Sequence, residues 1–285
     1  MRHDIVTLFV ILDEFCKKYE EEEKRQALEG SKGRSRPTQM SLSEMMLIEI
    51  LFQTSQFKNF KSFYTNYLPL AHHKDFPNLL SYSRFVQLKP RLFKPLTLFL
   101  DFISGEKTGV YTVDSTVLPV CHNKRIYSHK VFKGIAERGK STMGWFYGLK
   151  LHLIINDKRE IVAVKVTAGN KDDRKALQEM SGDLRGRIYG DKGYLSKSLF
   201  KVLWSRGLKL VTGIRKNMKN VFMEMVDKVN LRKRGIIETI FGQLKINYCL
   251  HHTRSRSPIN FCVNILSAIA ALQLNSNNHI PFIQN

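Results

Sequence analysis

Acidic residues are scarce in this sequence: 25 Asp and Glu stand against 46 Lys and Arg, a formal net charge of +21 over 285 residues. An excess of that size is far beyond what solubility needs. It points to a polyanionic partner, with nucleic acid the first candidate. Uninterrupted apolar runs of 18 residues are missing too, as is a signal-peptide pattern, so no membrane partner is expected. Residues 5–12 (Ile-Val-Thr-Leu-Phe-Val-Ile-Leu) are too few to span a bilayer and lead into Asp13 and Glu14. Ile259–Leu274 is apolar but broken by Asn260, Asn264, Ser267 and Gln273, which reads as a buried terminal helix. Cysteine is sparse: Cys16, Cys121, Cys249 and Cys262 are scattered with no Cys-x-x-Cys pair, which leaves no ordinary zinc motif. Cys249 with His251 and His252 is the nearest approach to one. Reduced thiols in the cytoplasm are the default for such a chain.

What is present divides into two characters. Residues 4–29 have a helical pattern whose Glu20–Glu23 run reads as a solvated face. Gly30–Pro37 is a basic, Gly/Ser-rich linker. Ser41-Leu-Ser-Glu44 matches a capping box, with Leu47, Ile48, Leu51 and Phe52 following at helical spacing. Aromatic, Leu-rich and basic sequence continues to Phe102, interrupted at Pro69, Pro77, Pro90 and Pro95, which predicts several short helices. Residues 1–104 are therefore expected to be an all-helical, DNA-binding region, and residues 105–285 a second domain.

The second domain opens on Val110–Leu118, alternating and β-branched, a strand. Phe146–Ile155 and Ile161–Thr167 are two more strand-like runs, joined by the turn Asn156–Arg159. A helix at Asp172–Met180, a brief strand at Arg187–Tyr189, a helix at Leu195–Ser205 and a strand at Leu208–Ile214 follow, then a late helix from near Val229. That order gives a mixed sheet with helices on its faces, an α/β class.

Three acids stand out by position. Asp114 lies mid-strand, where an unpaired carboxylate is costly to bury. Asp191 ends a strand inside the Gly-bracketed turn Gly190–Gly193, and Glu238 sits on the late helix. On that helix Arg234, Glu238 and Lys245 fall within roughly 40° of one another at about 100° per residue. A surface row with i,i+4 ion pairing would have the same pattern. Converging carboxylates would form a hard-oxygen site suited to Mg²⁺ or Mn²⁺. Two such ions would activate a water or a 3′-hydroxyl and stabilise the leaving oxygen of an in-line displacement.

Five segments carry a specific resemblance: Thr112-Val-Asp-Ser-Thr116, Pro119-Val-Cys-His-Asn-Lys-Arg125, Gly139-Lys-Ser-Thr-Met-Gly-Trp-Phe-Tyr-Gly-Leu-Lys-Leu-His152, Tyr189-Gly-Asp-Lys-Gly-Tyr194 and Ile237-Glu-Thr-Ile-Phe-Gly-Gln-Leu-Lys245. With these the chain resembles a bacterial insertion-sequence transposase of the DDE type, closest to insertion-sequence family 982. The resemblance implies a ribonuclease H-like catalytic fold with Asp114, Asp191 and Glu238 as the catalytic, metal-binding triad. It also implies cleavage at terminal inverted repeats, transfer of the freed 3′-hydroxyl ends into target DNA, and a homodimer or higher oligomer on double-stranded DNA. Relatives carry a Tyr-(2)-Arg-(3)-Glu-(6)-Lys pattern, which Arg234, Glu238 and Lys245 fit; the tyrosine position holds Leu231.

Lys124, Arg125, Lys130 and Lys133, with Tyr127 and Phe132 interleaved, suit phosphate contact and base stacking. Arg215, Lys216 and Lys219 point to DNA rather than to chemistry. His152 reads as a core histidine, and Asp172 and Asp173 as helix-capping acids. Such a protein would be cytoplasmic and associated with the nucleoid. The alternatives are a metal-dependent DNA nuclease using water alone and a domesticated, non-catalytic DNA-binding protein.

Overall fold

The computed structural model describes residues 4–29, 38–214, 223–248, 250 and 255–276. The chain begins with helices α1 (Ile5–Glu29), α2 (Leu42–Thr54), α3 (Phe60–Ser62), α4 (Leu68–Ala71), α5 (Tyr82–Leu88) and α6 (Phe93–Phe102). Ser41 caps α2 with the reciprocal box its sequence announces: its hydroxyl accepts from the Glu44 N–H while Glu44 accepts from the Ser41 N–H. Pro69, Pro90 and Pro95 do not break helices. Each lies within three residues of a change of helix type: Pro69 just after the π turn Phe63–Tyr67, Pro90 within the 3₁₀ turn Lys89–Leu92 and Pro95 just after it.

Strand β1 (Val110–Cys121) follows, then β2 (Glu137–Ser141), β3 (Gly144–Asn156) and β4 (Ile161–Ala168). After them come α7 (Asp173–Met180), β5 (Gly186–Gly190), α8 (Lys197–Ser205), β6 (Leu208–Thr212), α9 (Met225–Lys233), α10 (Ile236–Ile246) and α11 (Pro258–Ser276). β1, β3 and β4 are antiparallel neighbours, while β5 pairs parallel to β1 and β6 parallel to β5. A meander extended by two parallel strands and covered by helices is the ribonuclease H-like arrangement expected from the sequence.

β2 was not expected, because its Glu-Arg-Gly-Lys-Ser sequence has no apolar alternation. It pairs with the first half of β3, and β4 pairs with the second half. Glycine makes the change of partner possible. A Cβ on Gly139 would meet the Gly169 carbonyl at 2.3 Å, and one on Gly148 the Leu118 carbonyl at 2.2 Å.

The two faces of the sheet serve different purposes. Tyr111, Val113, Ile154 and Ile188 pack on Leu177 of α7 and on Leu199 and Leu203 of α8 in the core. Each such apolar side chain contributes about 1.5–3 kcal/mol by burial. By strand alternation Asp114, next after Val113, points to the other face, and α10 packs on β1 while α9 lies on β5 and β6.

Two compact units result, Met1–Ile103 with Asn247–Asn285, and Ser104–Ile246. The expected second domain, residues 105–285, therefore ends earlier: α11 packs on α2 and α6 in the helical unit. Two thirds of α11's most apolar 18 residues are buried (67%). The polar residues that interrupt it are satisfied there, with Gln53 donating to Asn264 at 2.8 Å and Gln273 to the Ile103 carbonyl at 3.1 Å. A second difference concerns the late helix. Its charged row does not lie on one helix, because the chain turns at Arg234–Gly235 between α9 and α10.

Candidate active site

Register sets the first two acids. The last parallel pairing between β1 and β5 is Thr112 with Tyr189. Two residues further along each strand stand Asp114 and Asp191, level with one another. Asp191 ends its strand and accepts from the Lys192 N–H at 2.6 Å, which starts the next turn. Glu238 lies in the first turn of α10, where the helix dipole favours an anion. Asp114 accepts from the Ser115 N–H at 2.8 Å.

Charge from the other two acids reaches Asp114. Burial pushes the Asp114 carboxyl up to about 6; the Ser115 N–H and Arg234 pull it down, and Asp191 and Glu238 push it up again. Arg234 stands among them, Nη1 3.7 Å from Asp191 and Nη2 3.8 Å from Glu238. These distances are ion-pair contacts longer than hydrogen bonds. The guanidinium thus balances part of the negative charge. Among the described residues no three His, Cys, Asp or Glu side chains are grouped closely enough to hold a metal together. The donor chemistry nevertheless fits a hard divalent cation: three carboxylates with surplus negative charge, one of them half-buried.

The supporting residues fall into distinct places. Leu231 is half-buried on α9, one turn before Arg234. Lys245 is half-buried near the end of α10, and desolvation lowers its ammonium pKa. Lys124, Arg125, Lys130 and Lys133 are all exposed on the chain between β1 and β2, and Tyr127 is 97% exposed among them. Phe132 departs from expectation. It is buried, stacked on His129 with centroids 5.7 Å apart, so its ring is closed to a base. Arg215, Lys216 and Lys219, together with the Cys249–His252 cluster, lie outside the described residues.

On the opposite face a polar network abuts β1. Asp173 accepts from Ser115 Oγ at 2.9 Å and from Lys150 Nζ at 2.8 Å, and its neighbour Asp172 caps α7. His152 is buried beside it, Nε2 2.9 Å from Thr167 Oγ1, and burial lowers its pKa to about 4. The residue after Asp114 is thereby anchored. Sequence reading took Asp173 as a capping acid and missed this role; the pairing of Ser115 opposite His152, two positions from Lys150, was the available signal. Asp227 was missed as well. It is buried against Arg187, Tyr189 and Lys209, each 2.9 Å away, and fastens α9 to β5 and β6.

A family model described as a transposase DDE domain matches residues 104–258. A solved structure, the cryo-EM structure of a piggyBac transposase synaptic complex with hairpin DNA, is similar over 96% of this chain and 75% of that one, at 14% identity and a TM-score of 0.46. Among curated proteins none matches the sequence.

Proposed function

The chain belongs to the transposase DDE domain family, and from that premise we propose that it is a DNA transposase whose chemistry is carried by Asp114, Asp191 and Glu238. One observation carries the assignment of residues. The three acids arrive from β1, from the end of β5 and from α10; Asp191 and Glu238 both raise the Asp114 carboxyl, and Arg234 stands within 3.8 Å of each of those two. The substrate of this reading is double-stranded DNA at the terminal inverted repeats of an insertion sequence of the bacterial family 982 type. The reaction cleaves there and joins the freed 3′-hydroxyl ends to target DNA, in a dimer or higher oligomer.

Asp114, Asp191 and Glu238 would hold magnesium or manganese ions, which supply Lewis-acid stabilisation to the attacking and leaving oxygens of phosphoryl transfer. The protein's own part is to hold and orient. Asp114 is fixed by the Ser115 N–H and, through Ser115, by Asp173 and Lys150. Arg234 and Lys245 present positive charge to the scissile phosphate and its neighbour. The exposed Lys124, Arg125, Lys130 and Lys133 carry the flanking backbone.

Asp114→Asn, Asp191→Asn and Glu238→Gln are each expected to abolish metal-dependent nicking and end joining on cognate ends, with DNA affinity retained. Undiminished strand transfer by all three variants would refute the assignment. Hydrolysis without joining to a supercoiled target would recast the protein as a metal-dependent nuclease.

A further inference from the structure

In the helical unit a cavity of about 700 Å³ opens between the end of α2, the turn at Lys58–Lys61, α5 and the start of α11. That is the size of a small-molecule site rather than a packing defect. Phe60 and Tyr82 form aromatic walls, their ring centroids 6.3 Å apart and planes 40° apart. Lys58, Lys61 and Arg256 are exposed at its rim, and among the described residues no carboxylate lines it. Lys89 is already committed: it is buried against Glu49 at 2.7 Å and lies 4.6 Å from the centre of the Phe60 ring.

The inner polar groups are unequal. Gln53 and Asn264 satisfy one another through a 2.8 Å hydrogen bond. Asn260 Oδ1 is buried without a hydrogen-bond partner among the described residues. A buried acceptor left so loses its hydration without replacement, and a donor placed against it would restore the bond. The cavity is therefore complementary to a guest with three properties: a flat face for Phe60 and Tyr82, an edge N–H for Asn260, and negative charge at the rim. A nucleobase on its phosphate backbone has all three.

We infer that this cavity accepts an unstacked base of single-stranded or locally opened DNA. The base lies against Tyr82 and Phe60, its edge donates to Asn260, and its flanking phosphates meet Lys58, Lys61 and Arg256. The site is remote in sequence from the acids and does not depend on their chemistry.

The test uses the full-length protein and a short single-stranded oligonucleotide, compared with an abasic oligonucleotide of equal charge in fluorescence anisotropy. Stacking of one base is worth about 1–3 kcal/mol, so the base-containing strand should bind about 5- to 150-fold more tightly. Tyr82→Leu should erase that preference and leave affinity for the abasic strand unchanged. Lys58→Ala with Lys61→Ala should weaken both strands alike. Equal affinity of the unaltered protein for the two strands would overturn the proposal, as would a preference that survives Tyr82→Leu. Should Tyr82→Leu fail to fold, photocross-linking of a 5-iodouracil oligonucleotide to the unaltered protein decides. Adducts on Phe60 or Tyr82 support the site, and adducts confined to other segments refute it. Because Asp114→Asn should pass the same tests, this result stands or falls separately from cleavage.

Discussion

At the scale of single residues, the Asp114 carboxylate carries a cost to stability. Its carboxyl is raised from 3.8 to about 6 in the folded protein, chiefly by burial. The folded state therefore holds that proton more tightly than the unfolded chain does. The resulting stability is fully present below pH 3.8 and is lost as pH rises through about 6. A shift of that size corresponds to at most about 3 kcal/mol at 1.36 kcal/mol per unit. Solvent reaching the half-buried group reduces it to roughly 1–2 kcal/mol. Asp114→Asn is thus expected to raise the melting temperature by about 2–6 °C at pH 8 in chelator, and by nothing at pH 3.5. Equal effects at both pH values would show that the charge is not the cause. Asp114 was legible in the sequence because a carboxylate inside Val-Tyr-Thr-Val-Asp-Ser-Thr-Val contradicts its surroundings. Arg234 was visible only as a charge near Glu238. That it also reaches Asp191 depends on a chain turn at Gly235 that helical periodicity cannot express.

At the scale of elements, strong local signals survived and weak ones were replaced by long-range pairing. The Ser41 cap, the β1, β3 and β4 runs and the α7 cap are written in contiguous residues. β2 is not: it is polar, and its strand geometry comes from the free edge of β3 and from glycine backbones that can approach closely. Helix α9 likewise owes its place to one buried acid. Burial alone would raise the Asp227 pKa, but hydrogen bonds from Lys209, Tyr189 and Arg187 hold it below the usual carboxylate value. Its stabilisation is therefore present above pH 4 and fades as acid protonates it. Asp227→Asn should cost about 2–3 kcal/mol in urea unfolding at pH 7, below the range for wholly buried pairs because Arg187 and Lys209 stay partly solvated. A loss under 0.5 kcal/mol would show that α9 is held by other contacts.

At the scale of the whole molecule, the charge excess finds a place. Lys124, Arg125, Lys130 and Lys133 are exposed together on one connection, next to the unhindered Tyr127. Replacing all four by alanine should lower the salt slope of duplex binding by about 3–4, since each phosphate contact releases close to one counterion. The melting temperature should not change, as these side chains are solvated. An unaltered slope would remove this segment from the DNA path.

Composition did not foresee the division of the chain, because an apolar face on α11 does not say which unit it completes. That division has a temporal consequence. Helices α2 and α6 are made before Ser104–Ile246, and α11, which covers them, is made after it. At 5–20 residues per second the first helices wait roughly 7–30 s with that face bare. The sheet unit can close during the wait, so the part of the protein synthesised first is the part that finishes folding last.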